Sequence, residues 1–120
     1  MKKDIIKEYY EKNAKHYNQI FFEHPDDYPT LKFRHHQILS HIDNLQLSKE
    51  SIILDAGCGT GDMVKDLVTS GYKVFGSDVS EKMVEIAKSK NQKYIESGLA
   101  EIIQADVEKL PYSDHSFNVI

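Results

Sequence analysis

The chain has 120 residues, 40% apolar and 28% charged, which suits a single domain with a modest core. A formal charge of −4 gives no electrostatic reason to expect nucleic acid as the main partner, and no stretch approaches the roughly 20 apolar residues of a membrane span. A single cysteine excludes an internal disulfide, and the lysines at the start precede no unbroken apolar run of the kind a secretory signal needs, so the cytoplasm is the expected compartment.

Residues 1–50 read as a two-helix N-terminal cap. Ile5, Tyr9, Tyr10, Ala14, Tyr17, Ile20 and Phe21 recur at three- and four-residue steps, which predicts a helix with one apolar face. Pro25 and Pro29 punctuate "HPDDYP" as a turn. A second amphipathic helix then carries Leu31, Ile38, Leu39, Ile42 and Leu45 on one side.

After Ser51 the rhythm changes. "SIILDAG" is a β-branched apolar run ending in glycine, and "MVKDLVTSG" is helical up to Gly71. "YKVFGSD" predicts a second strand, "SEKMVEIAKSKNQKYIESG" one long helix stopped by Gly98, and "AEIIQAD" a third strand. "VEKLPYSDHS" reads as a loop and "FNVI" opens a fourth strand. Strands alternating with helices imply right-handed crossovers and a parallel sheet. The fold class is therefore α/β, a Rossmann-like doubly wound parallel sheet over residues 51–120, incomplete in its fourth strand and preceded by the helical cap.

Ligands of open parallel sheets bind beyond the carboxyl ends of the strands. Here the first end carries Asp55 followed by Gly57, Gly59 and Gly61, the second Asp78, and the third Asp106. Each has a structural alternative: a tight turn for the glycines, a helix cap for Asp78, a loop residue for Asp106. Together they match nucleoside recognition, because an acidic residue about 20 positions after the glycines can hydrogen-bond ribose hydroxyls. The dinucleotide fingerprint is G-x-G-x-x-G/A, and Asp62 stands at its third place. A carboxylate at a helix start repels pyrophosphate, which disfavours NAD and ATP.

"ILDAGCGTGD" resembles the first motif of class I S-adenosylmethionine-dependent methyltransferases. "VFGSDVSEKMVEIAK" resembles their second, and "IIQADVEKLPYSDHSFNVI" their third strand and the approach to the fourth. "YYEKNAKHYNQIF" is similar, more weakly, to the helix before the core in small-molecule methyltransferases of the ubiquinone/menaquinone-biosynthesis type. The resemblance implies S-adenosyl-L-methionine as cofactor, S-adenosyl-L-homocysteine as its product and a small-molecule methyl acceptor. It implies that Gly57, Cys58 and Gly59 run beneath the methionine part, with Asp55 steadying that loop and the ammonium end. Asp78 would take the ribose hydroxyls, Val79 and Met83 would flank the adenine, Asp106 would accept from its amino group, and the Val107 N–H would meet a ring nitrogen. Tyr17 either closes over the site or packs in the core, and Met83 also sits at core spacing with Ala87.

Cys58 has no histidine near it in sequence to act as a base, so it reads as a small residue in a tight turn rather than a nucleophile. In "RHHQILSH" neither His35 nor His36 has a histidine four residues on, so no metal is expected. No catalytic residue is assigned. Two features depart from the family: Asn118 stands where aspartate is usual, and the chain ends early in the fourth strand. The second implies either a portion of a longer methyltransferase or a sheet completed by a partner chain, with the isolated piece marginal or self-associating. It also keeps open the alternative of a non-catalytic binding module or regulatory subunit.

Overall fold

A computed structural model describes residues 2–19 and 29–120; Ile20, Phe21, Pro25 and the turn before Pro29 lie outside the described residues. The apolar runs after Ser51 form strands β1 (Ile52–Ala56), β2 (Lys73–Asp78) and β3 (Ala100–Gln104). They pair in parallel in the order β1-β2-β3, with Ile53 opposite Val74 and Val74 opposite Ala100. Val119 makes a parallel bridge to Ile53, whose other edge β2 already occupies. The Leu54 N–H donates to the Val119 carbonyl and the Asn118 N–H to that of Ile52, both at 2.9 Å. The spatial order is thus β3-β2-β1-chain end, and the sheet reverses direction of growth beside β1, as doubly wound folds do. The Asn118 side chain itself accepts from the Ile52 N–H at 2.9 Å, so the amide makes a local contact at the start of β1.

Helices α3 (Asp62–Thr69) and α4 (Glu81–Lys90) cover one face of the sheet. Val64, Val74 and Ala87 are fully buried there, with Leu67, Val84, Ala100 and Ile102 around them. Each large side chain so buried contributes about 1.5–3 kcal/mol. On the opposite face Phe75 stacks on Tyr112 and meets Phe117 edge-on, with centroids 5.6 and 5.4 Å away.

The long helix expected from Ser80 to Gly98 is two. Asn91 adopts φ −112°, ψ 15°, ends α4 and precedes α5 (Gln92–Glu96). The break is driven by its side chain, which turns inward to bond backbone carbonyls and is 0% exposed.

The cap is helical as expected: α1 (Lys2–Asn18) packs on α4, and α2 (Pro29–Asn44) lies beside α3. Pro29 opens α2, where its missing N–H is no loss. The packed face of α1 is narrower than the expected one, keeping Tyr10, Ala14 and Tyr17 and leaving out Ile5 and Tyr9. Ile5 and Tyr9 are 66% and 59% exposed, whereas Ala14 is buried and Tyr10 and Tyr17 are half-buried. Two overlapping apolar stripes exist on this helix, and docking on α4 selects the one containing the small Ala14. On α2, Ile42 is buried and Leu39 packs on the core, but Ile38 and Leu45 are exposed. His35 is satisfied by the Asp66 carboxylate, which ties α2 to α3.

Candidate functional site

The three strand ends are stitched together by backbone bonds. Ser77 offers its carbonyl to the N–H groups of both Gly57 and Cys58 at 2.7 and 2.8 Å, and the Ala105 N–H donates to the Asp78 carbonyl at 2.9 Å. The Asp78 carboxylate spans two turns, accepting from the Gly59 N–H at 2.9 Å and from the Ser80 N–H at 3.0 Å. Ser80 caps α4 by accepting from the Met83 N–H. Asp78 therefore fixes the glycine loop against the start of α4, and an ionised carboxylate still has lone pairs for a ligand.

The three glycines of the loop do different jobs. All have positive φ: 78° at Gly57, 54° at Gly59 and 79° at Gly61. A Cβ at Gly57 or Gly59 would meet nothing within 4 Å, so these two leave a bare cradle open to a ligand. A Cβ at Gly61 would stand 2.8 Å from both the Ala87 Cβ and the Asn91 Nδ2, so Gly61 serves the packing of α3 on α4.

Above that cradle is a cavity of about 290 Å³. Of the residues expected at the site, Tyr17, Gly57, Gly59, Asp78, Val79, Met83 and Val107 line it. The others lie around it. Cys58 is buried with its sulfur against Gly76, and Asp55 faces a larger apolar groove beside α2. Asp106 caps a 3-10 turn (Val107–Lys109) by accepting from the Glu108 N–H at 2.9 Å. The cavity also takes in Ile6, Tyr10, Ser77 and Ala105, which sequence reasoning missed. Ser77 and Ala105 adjoin strand-end residues and carry no chemical signature of their own. Ile6 and Tyr10 share a face with Tyr17, so the helical spacing of Tyr10 and Tyr17 was the available signal. Their rings meet edge-on with centroids 6.2 Å apart. Glu11 accepts a bond from the Glu81 N–H, which holds α1 over the mouth at the start of α4.

The electrostatics are acidic, and three of the cradle's N–H groups are already engaged. Burial, and then the neighbouring Asp78, push Asp55 up to about 6, against a smaller lowering by His35. Burial, followed by Asp55 and Asp78, raises the Cys58 thiol far above its ordinary range, so it is protonated and no nucleophile. Tyr17 is raised by burial and by Tyr10, Asp62 and Asp78, and stays a phenol able to donate. Asp62 is paired with Lys90 at 2.9 Å and accepts from the Thr60 hydroxyl at 2.6 Å, so its charge is balanced locally. The N–H groups of Gly57, Cys58 and Gly59 are all donated inside the protein, so none of these three is left for an anionic ligand at the cradle. What the loop and Asp78 present is acceptors, suited to a ligand bearing hydroxyls or a positive charge. Among the described residues no group of histidine, cysteine or carboxylate side chains could hold a metal ion.

Residues 53–120 match a family described as "Methyltransferase domain". The chain belongs to this methyltransferase family. Its relatives include the sterol 4-C-methyltransferase of Caenorhabditis elegans, 31% identical over 96% of this chain and 33% of that protein. The demethylmenaquinone methyltransferase of Chlorobaculum tepidum is 32% identical over 77% of this chain and 41% of that protein. Among solved structures, the magnesium protoporphyrin IX methyltransferase of Synechocystis, with bound S-adenosylhomocysteine (SAH), superposes with a TM-score of 0.78 at 25% identity. That match covers 90% of this chain and 53% of the other. The chain thus spans about a third to a half of the length of the relatives it matches.

Proposed function

We propose that this chain is the cofactor-binding portion of an S-adenosylmethionine-dependent methyltransferase acting on a small molecule, residues 1–50 capping a core at 51–120. The observation that carries it is the bare cradle at Gly57 and Gly59, flanked by the Asp78 carboxylate. The residues fit such a cofactor. Two glycines leave room for the ligand to lie on the backbone, the N–H groups of Gly57, Cys58 and Gly59 are engaged inside the protein, and acceptors remain for hydroxyls and an ammonium. A structural neighbour holding S-adenosylhomocysteine and relatives named for sterol and demethylmenaquinone methylation support the same reading.

In this reading Gly57 and Gly59 carry the amino-acid end, with Asp55 raising the negative potential behind them. Asp78 keeps the loop in place with two lone pairs and accepts from the ribose hydroxyls with the others. Val79, Met83 and Val107 flank the adenine, and Asp106 accepts from its amino group. Ile6, Tyr10 and Tyr17 cover the cavity and exclude water. The cofactor supplies a methyl group on a sulfonium sulfur, electrophilic without help from an acid. The protein's part is then mainly alignment and desolvation. A cytoplasmic location fits, and no helix among the described residues is long and apolar enough to cross a membrane.

Titration calorimetry with S-adenosylhomocysteine tests the proposal. The folded full-length protein should bind it, and Asp78→Ala should weaken binding by about tenfold or more, as loss of a charge-assisted hydrogen-bond acceptor does. Absence of binding, or an affinity unchanged in Asp78→Ala, would sink it.

A further inference from the structure

We propose that Asn91 and Lys90, at the far end of α4, are positioning residues that set where the glycine loop lies and thereby the affinity for the amino-acid end of the cofactor. This rests on the cofactor reading above. Neither residue lines the cavity. Both grip the exit of the loop.

Asn91 gives up a helical conformation to do so. Its Nδ2 donates to the Gly61 carbonyl at 3.0 Å and to the Ala87 carbonyl at 2.9 Å, while its Oδ1 has no hydrogen-bond partner. This wholly buried amide, with one unmet acceptor, caps the end of α4 and in the same position reaches across to the glycine loop. Gly61 is pressed on the same point, and its carbonyl also accepts the Lys65 N–H at 3.1 Å. One residue earlier, Lys90 holds Asp62 at 2.9 and 3.1 Å, and Asp62 in turn holds the buried Thr60 hydroxyl. Thr60, Gly61 and Asp62 are therefore anchored to one another and to α4, while Gly57 and Cys58 are anchored to Ser77 and Gly59 to Asp78. The cradle is a short span between two fixed supports, and the α4 support is the one that touches no ligand. A small shift of such a support is enough to misplace a site by an ångström.

The two halves of the ligand separate this from a purely structural role. S-adenosylhomocysteine lies on both the loop and Asp78, whereas adenosine lacks the amino-acid end. In Asn91→Ala, calorimetry should show S-adenosylhomocysteine affinity reduced by about tenfold or more, with adenosine within about twofold of wild type. Lys90→Met, which removes a partly exposed ion pair and leaves the core intact, should show the same asymmetry more weakly. Variants that weaken both ligands alike, or neither, overturn the clamp while the wild type still binds. A wild type that fails to bind S-adenosylhomocysteine overturns the cofactor reading and the clamp together.

Discussion

The glycines of one short loop divide between an open cradle and helix packing, and substitution separates the two. At Gly57 an alanine forces a side chain into the left-handed region, which costs about 1–2 kcal/mol, but its Cβ has open space. Gly57→Ala should therefore fold with a modestly lowered melting temperature and lose cofactor affinity by about tenfold or more, since the methyl occupies the cradle. Gly61→Ala adds a clash with Ala87 and Asn91 to the same backbone strain, so denaturant titration should show roughly 3 kcal/mol of lost stability or more. Asp55 brings a pH dependence. Its pKa rises from 3.8 unfolded to about 6 folded, so the native state holds the proton more tightly. The stability this contributes is present below about pH 4 and is lost as pH rises to about 6. Asp55→Asn should flatten that part of the stability profile, measured by chemical denaturation at each pH. The three acidic positions were legible because they end apolar runs. The use of the loop's N–H groups was not, since it depends on how close β1 and β2 lie.

At the scale of elements, strand positions follow from sequence closely: "SIILDAG", "YKVFGSD" and "AEIIQAD" contain β1, β2 and β3. Buried parallel strands write themselves as β-branched runs bounded by glycine and aspartate. The break at Asn91 was hidden because asparagine is tolerated within helices, and only tertiary partners reveal that its side chain turns inward. The docked face of α1 was ambiguous for a similar reason, with Tyr9 and Tyr10 adjacent and either stripe apolar. Ala14 marks the true contact, being 2% exposed against α4. Ala14→Glu would bury a charge there and lift Ile6, Tyr10 and Tyr17 from the cavity. Stopped-flow release of S-adenosylhomocysteine should then be faster by about tenfold, with the far-UV circular dichroism of the α/β core retained.

Over the whole molecule, the reversal of strand order beside β1 explains where the apolar surface lies. One sheet face is covered by α3 and α4. Beside α2, a groove of about 1290 Å³ is walled in part by Phe33, Ile38 and Leu45, all exposed. An apolar surface of this kind drives association. Light scattering of the 120-residue chain should give a mass above 13.8 kDa, and Ile38→Glu combined with Leu45→Glu should lower it. The groove and the cavity over the glycine loop are distinct places, and the proposal seats the cofactor in the smaller one. Amide chemical-shift mapping during titration with S-adenosylhomocysteine measures this directly. Shifts are expected at Gly57, Gly59, Asp78, Val79, Met83 and Val107, with Phe33, Ile38 and Ile120 unmoved. Shifts confined to the groove, or none at the glycine loop, would contradict a cofactor seated on that loop.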